Sequence, residues 1–242
     1  MKWPTASIVV ALAMLASAAS SQAPLVLEYD VIAVKRKLLL ETTDGELALQ
    51  VGDHVQSGDV LRTGSRSRAE LAVIEYSAKF VVSSKTSFRL AHDRPGVLLE
   101  IERGSLRAIF GKLPEGDTRE RLISTPSAVL AVRGTDYGVE VKKDGDTSIA
   151  VFEGTVEVWN ADGIGERLFV PAGRATRIKR GKGPSTPKPH GLSSHAWDQG
   201  HRRASQSMGG SQQSSGMGAR NRSGSAGSGS SSSQGGSKRH GG

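Results

Sequence analysis

Residues 125–141 read TPSAVLAVRGTDYGVEV. An apolar run from Ala128 to Val132 breaks at Arg133-Gly134-Thr135, and the chain resumes with Tyr137, Val139 and Val141 alternating with Gly138, Glu140 and Lys142. A two-residue period puts successive side chains on opposite faces and marks a strand with one buried side. The stretch therefore predicts strand, tight turn, strand. Gly134 can take the positive φ that other residues resist at such a turn. Arg133 is a fixed charge between two apolar stretches, so it must face solvent or find an acid.

The same period recurs on both sides of this stretch. Ala69, Leu71 and Val73 alternate with Arg68, Glu70 and Ala72; Val97, Leu99 and Ile101 follow, then Leu106, Ala108 and Phe110, and later Val156 and Val158. Turn signals separate the runs at Asp44-Gly45, Gly52-Asp53, Gly58-Asp59 and Thr63-Gly64, then at Asp144-Gly145, Glu153-Gly154, Asp162-Gly163 and Ala172-Gly173. Short strands at such spacing predict an all-β domain, a two-layer sandwich or roll. Two internal similarities add a solenoid-like coil as a variant. Ile101-Glu102-Arg103-Gly104-Ser105-Leu106 resembles Val151-Phe152-Glu153-Gly154-Thr155-Val156, and the stretch from Asp44-Gly45 to Gly52 resembles that from Asp162-Gly163 to Gly173.

The two ends of the chain differ from this middle. Residues 1–19 combine Lys2, an apolar run from Ile8 to Ala16 and the small residues Ser17-Ala18-Ala19, the pattern of a cleaved secretory signal peptide. The run is about half of the roughly 20 apolar residues a membrane span needs, so no span is expected after cleavage. Residues 181–242 contain 15 Gly and 16 Ser and carry a net charge of +7, which leaves residues 24–180 neutral. The basic balance thus belongs to the tail. Such a composition cannot bury enough apolar surface to order itself and predicts a disordered extension from residue 181, with Trp197 as its single large aromatic. With no cysteine in the chain, disulfides and thiol ligands are excluded.

Taken together, the motifs from about Leu47 to Ile178 resemble the FecR domain, a periplasmic β domain of bacterial signalling proteins. The front of the resemblance is carried by Val51-Gly52-Asp53-His54-Val55, Ser57-Gly58-Asp59-Val60-Leu61-Arg62-Thr63-Gly64 and Ser67-Arg68-Ala69-Glu70-Leu71. Its back is carried by Thr125-Pro126-Ser127-Ala128, Val132-Arg133-Gly134-Thr135-Asp136-Tyr137-Gly138-Val139, Val151-Phe152-Glu153-Gly154-Thr155-Val156-Glu157-Val158 and Val170-Pro171-Ala172-Gly173. Glu75-Tyr76-Ser77 stands where the family has an Asp-Gly-Ser turn. The resemblance implies a periplasmic or secreted binding or signalling module, without a cofactor, whose partner is an envelope protein or a cell-envelope polymer. The best-known members also have a cytoplasmic anti-sigma segment and a membrane helix, and only the signal peptide precedes the β domain here, so direct sigma-factor control is not expected.

Candidate sites follow from chemistry. Arg133, with Thr135 beside it, is the candidate ligand contact, since a guanidinium offers a planar fork to a carboxylate or phosphate. The competing and favoured reading is structural, an ion pair with Asp136 or with an acid on a neighbouring strand that fixes the turn. Pro126 marks a strand edge or start. His54 and His92 are the only histidines of the β region and lack metal-ligand spacing, and no Gly-x-Ser-x-Gly elbow or phosphate-binding glycine loop is present. Asp144-Gly145-Asp146 reads as a hairpin turn before it reads as a calcium loop. No enzyme, metal or cofactor is expected, a cell-wall hydrolase being the weaker alternative. A structural envelope protein whose basic tail binds anionic polymer is the nearer one; export argues against nucleic acid as the physiological partner.

Overall fold

The computed structural model describes residues 26–90, 94–112 and 114–207. The chain opens with β1 (Glu28–Lys35), β2 (Leu38–Thr42), β3 (Gly45–Leu49) and β4 (His54–Gln56). β1 pairs with β4, and β2 pairs with β3. The turn into β4 is closed by Asp53, whose Oδ2 accepts the Gln50 N–H at 2.7 Å, and Asp59 repeats the device on Gln56 at 2.9 Å. Gly52 and Gly58 each take φ +95° inside these turns. The paired Gly-Asp motifs are therefore turn closures, in which a short carboxylate satisfies an N–H that the strand ladder leaves over.

Next come β5 (Val60–Thr63), β6 (Arg68–Val73), β7 (Ala78–Val82), β8 (Ser87–Leu90) and the long β9 (Val97–Phe110). In the turn between β6 and β7, Ser77 takes the left-handed φ of +46° that the missing glycine would supply. After β9 follow β10 (Leu122–Ser124), β11 (Ala128–Val132), β12 (Asp136–Val141), β13 (Thr147–Glu153), β14 (Thr155–Asn160), β15 (Leu168–Pro171), β16 (Arg174–Ile178), the short β17 (Lys188–Pro189) and the helix α1 (Ser194–Ser207). Sheet A has the order β4-β1-β6-β7-β9-β12-β13-β16-β17. Sheet B has the order β3-β2-β5-β8-β9-β10-β11-β14-β15, with β9 and β10 parallel. β9 belongs to both sheets.

Inward side chains from both sheets form one apolar cluster. Tyr29, Leu71, Phe80, Val139 and Val151 of sheet A lie in it with Leu38, Leu61, Phe88, Leu130 and Val158 of sheet B. The expected all-β, two-layer architecture is what forms. Each such side chain contributes about 2 kcal/mol before conformational entropy is subtracted.

The internal similarities have a physical meaning. β9 leaves sheet B and enters sheet A at Gly104, with φ +102°, where a Cβ would lie 2.5 Å from Thr86 Cα. Gly154, at φ +77°, makes the crossing between β13 in sheet A and β14 in sheet B, and a Cβ there would lie 2.8 Å from the Gly134 carbonyl oxygen. Both similar sextets are thus corners at which a strand changes layers, and only glycine fits the close backbone approach. The second similarity is a repeated unit. β13 pairs with β16 around the β14–β15 hairpin, as β1 pairs with β4 around β2–β3.

Residues 125–141 contain the two predicted strands and the turn, with Gly134 at φ +62°. β11 and β12 do not pair with each other, however; β11 lies in sheet B and β12 in sheet A. The Arg-Gly-Thr turn is a third layer-crossing corner. Thr125-Pro126-Ser127 is the β10–β11 turn: Thr125 Oγ1 and Ser127 Oγ each meet Thr147 Oγ1 at 2.8 Å, a buried hydroxyl cluster that ties this turn to β13. Asp144-Gly145-Asp146 turns between β12 and β13, with Gly145 at φ +84° and the Asp146 N–H donated to Asp144 Oδ1.

The boundary at residue 180 lies short of the last ordered contacts. β17 extends sheet A, and Trp197 is buried against it in the first turn of α1. The expected signal peptide over residues 1–19, His92 and residues 208–242 lie outside the described residues. No described helix is long and apolar enough to cross a membrane.

Candidate functional site: a groove beside Arg133

Sheet B presents an outer face on its C-terminal side. Register aligns Leu122 of β10, Ala131 of β11, Glu157 of β14 and Phe169 of β15 in one row, and Trp159 stands opposite Val129 in the next. Thr118–Leu122 forms one wall, Arg133 and Gly154 one end, and Arg167 the far side of a groove of about 820 Å³. Phe169 is 66 % exposed in it.

The charges around this groove fall into two kinds. Arg119 forks onto Asp117, with Nε–H donated at 3.0 Å and Nη2–H at 2.5 Å, and this pairing holds the Asp117 carboxyl down at about 2. Arg167 pairs with Glu157 at 3.2 Å and lies 4.3 Å over the Trp159 ring. Both of these cations are already compensated. Arg133 is exposed, and no hydrogen bond or ion pair joins it to another described residue. Asp136 does not meet it, because Asp136 is forked by Arg107 from β9, at 2.7 and 2.5 Å. That correction follows from strand alternation: Arg133 sits at the corner, while Asp136 points to the outer face of sheet A.

Thr135 does not reach the groove. It is 2 % exposed, its methyl lies against Gly154 at the crossing of two corners, and its Oγ1 has no hydrogen-bond partner among the described residues. Of the two candidate contacts, only Arg133 faces a ligand-sized space.

The sequence reading missed Arg121. It is 2 % exposed and sits where the groove meets the core; its Nη1 donates to the carbonyls of Gly111 at 2.8 Å and Tyr76 at 3.3 Å, and its guanidinium lies 5.2 Å from the Phe110 ring centre. Burial pulls its pKa down. The Tyr137 phenol, which stacks on Phe110 at 6.2 Å, is pushed up by burial. Arg121 is therefore a buried cation held by carbonyl dipoles, and among the described residues no carboxylate pairs with it. Within the groove the charges left over are Arg121, Arg133 and Glu120, one positive charge in excess. An excess positive charge suits an anionic group, and the exposed Phe169 lines the same groove.

Other candidates lie elsewhere. His54 is on β4 and its Nδ1 meets Asp30 at 2.8 Å and Glu28 at 3.2 Å. It lies on the opposite half of the molecule from Arg133, at the β4 edge of sheet A. Among the described residues no group of three His, Asp or Glu side chains is placed to hold a metal ion.

Comparison with known proteins gives two findings. The family model described as FecR protein matches residues 59–157. Two crystal structures, at 2.50 and 1.65 Å resolution, of a protein from Parabacteroides distasonis ATCC 8503 provisionally designated an anti-sigma factor are similar to this chain at 15 % identity and a TM-score of 0.45, covering 54 % of this chain and 59 % of that one. The chain thus spans less than two thirds of the length of that relative. No curated protein matches the sequence.

Proposed function

The chain carries a FecR domain at residues 59–157, and on that premise we propose that it is an exported, non-enzymatic binding and signalling module of the bacterial envelope. Its ligand surface is the groove beside Arg133, and the group it receives there is an anionic one, a carboxylate or phosphate of an envelope protein or cell-envelope polymer. The observation that carries this reading is Arg133 itself, an exposed guanidinium with no ion-pair partner among the described residues, lining the same groove as a solvent-facing Phe169. Of the acids that an internal ion pair could use, Asp136 is taken by Arg107, and no ion pair joins Arg133 to an acid of a neighbouring strand among the described residues. A cation that makes no polar contact with another described residue has its donors available to an external anion.

The test is crosslinking in cells with a photoreactive amino acid in place of Phe169, followed by identification of the adduct. A discrete adduct that disappears in the Arg133→Glu background is expected. An adduct pattern indifferent to the charge at 133 would sink the assignment of this groove.

A further inference from the structure

The outer face of sheet A bears a second site, already filled. Register aligns Ala175 of β16, Ala150 of β13, Gly138 of β12 and Arg107 of β9 in one row. The strap formed by residues 184–200 runs across this row. Ser185 donates its N–H to the Arg177 carbonyl at 3.0 Å, and His190 donates its N–H to the Gly173 carbonyl at 3.0 Å. Trp197 then lies on Gly138 so closely that a Cβ there would be 2.2 Å from the indole. Phe152 meets the same indole edge-on at 6.0 Å.

Beside the indole, Asp198 places one carboxylate oxygen 3.2 Å from both Arg68 Nη2 and Arg107 Nη1. Without Asp198, the cluster of Arg68, Arg107, Lys79, Glu70 and Asp136 holds three cations and two anions. The carboxylate of Asp198 completes its charge balance, and it does so 13 % exposed, where screening is weak. Trp197 and Asp198 are the single large aromatic and the single acid of residues 181–242. Besides its ring and its carboxylate the strap is held by hydrogen bonds to β13 and β16: Ser185 Oγ accepts the Arg177 N–H at 3.0 Å, Arg174 Nη1 donates to the Pro187 carbonyl at 3.3 Å, and His190 Nε2 lies 2.9 Å from the Val151 carbonyl oxygen. β17 pairs over two residues only, and a groove of about 600 Å³ remains open between the strap and β13 and β16. A segment that lies across a sheet face on main-chain hydrogen bonds, with one buried ring and one paired carboxylate as anchors and an incompletely filled groove beneath it, has the anatomy of a bound peptide.

We propose that the outer face of sheet A is a docking site for a segment carrying Trp-Asp, filled in this chain by its own residues 184–200 and open to the same segment of a second copy. Strap exchange then joins two copies through contacts identical to those made within one.

Two full-chain variants test this in combination. Gly138→Ala closes the notch but leaves the strap intact; Trp197→Ala with Asp198→Asn disables the strap but leaves the notch open. Each variant alone stays monomeric, and their mixture forms a one-to-one heterodimer by light scattering. A mixture that remains monomeric at concentrations up to the millimolar range overturns the proposal. If Gly138→Ala does not fold, a synthetic peptide of residues 184–207 replaces it: it should bind the strap-disabled variant at least tenfold more tightly than the wild-type chain, whose notch is filled. Equal binding to both, or to neither, overturns the proposal equally.

Discussion

The two outer faces of the C-terminal half carry similar chemistry and opposite outcomes. On sheet A, Arg68 and Arg107 are closed over by the chain's own Trp197 and Asp198, so the cluster is neutral and its aromatic ring is buried. On sheet B, Arg133 lines the same groove as the solvent-facing Phe169 and has no ion-pair partner among the described residues. The difference lies in the supply of carboxylates. Asp136, the one acid within three residues of Arg133, points to the other sheet and is taken by Arg107. On the proposed function, the cation whose local acid is committed elsewhere serves recognition, whereas the pair whose acid arrives on the same chain acts as a latch.

The largest effect is expected where a substitution breaks both faces at once. Gly104→Ala puts a Cβ against the Thr86 backbone at a φ that L residues resist, and should cost about 3 kcal/mol or more in urea denaturation. A loss below about 1 kcal/mol would mean that β9 does not need its glycine to change sheets. Trp197→Ala breaks the sheet A face alone. It should lower stability by about 2 kcal/mol, less than a core aromatic because the strap can detach without the domain, and the loosened strap should be cleaved faster by chymotrypsin at the already exposed Leu192. Unchanged cleavage would show that the strap does not depend on the indole.

Asp198→Asn is milder. It keeps the shape and removes the balancing charge, for a loss of about 1 kcal/mol seen as a lower thermal midpoint. Arg133→Ala should be the smallest, within about 0.5 kcal/mol of wild type in either direction. A larger loss there would return Arg133 to the scaffold and erase the contrast between the faces.

Much of the fold was legible in the sequence because glycine and alternation are local signals. Gly52 and Gly58 mark turns, Gly104 and Gly154 mark corners, and the inward positions of β6 and β12 follow the two-residue period. What was not legible is which sheet each strand joins. Ala128–Val132 and Asp136–Val141 read as neighbours across a turn, and only the pairing of β11 with β14 and of β12 with β9 separates them into different layers. The same ambiguity misassigned Asp136 to Arg133. Arg121 was hidden in the charged run Glu115–Arg121, where its alternation with the solvent-facing Arg119 gives no hint that one is buried. The strap was partly legible: Trp197 stands out against a Gly/Ser background as the mark of a short docking segment, but the composition around it favours a solvated ring.

The most direct test of the contrast is to measure the thermal midpoint and the Phe169-position crosslink together in the Arg133→Glu variant. If the groove is a recognition surface, the midpoint stays within about 2 °C of wild type, in keeping with a surface substitution, while the adduct is lost. A midpoint that falls by several degrees, or an adduct that persists, would contradict it and make Arg133 a corner of the scaffold.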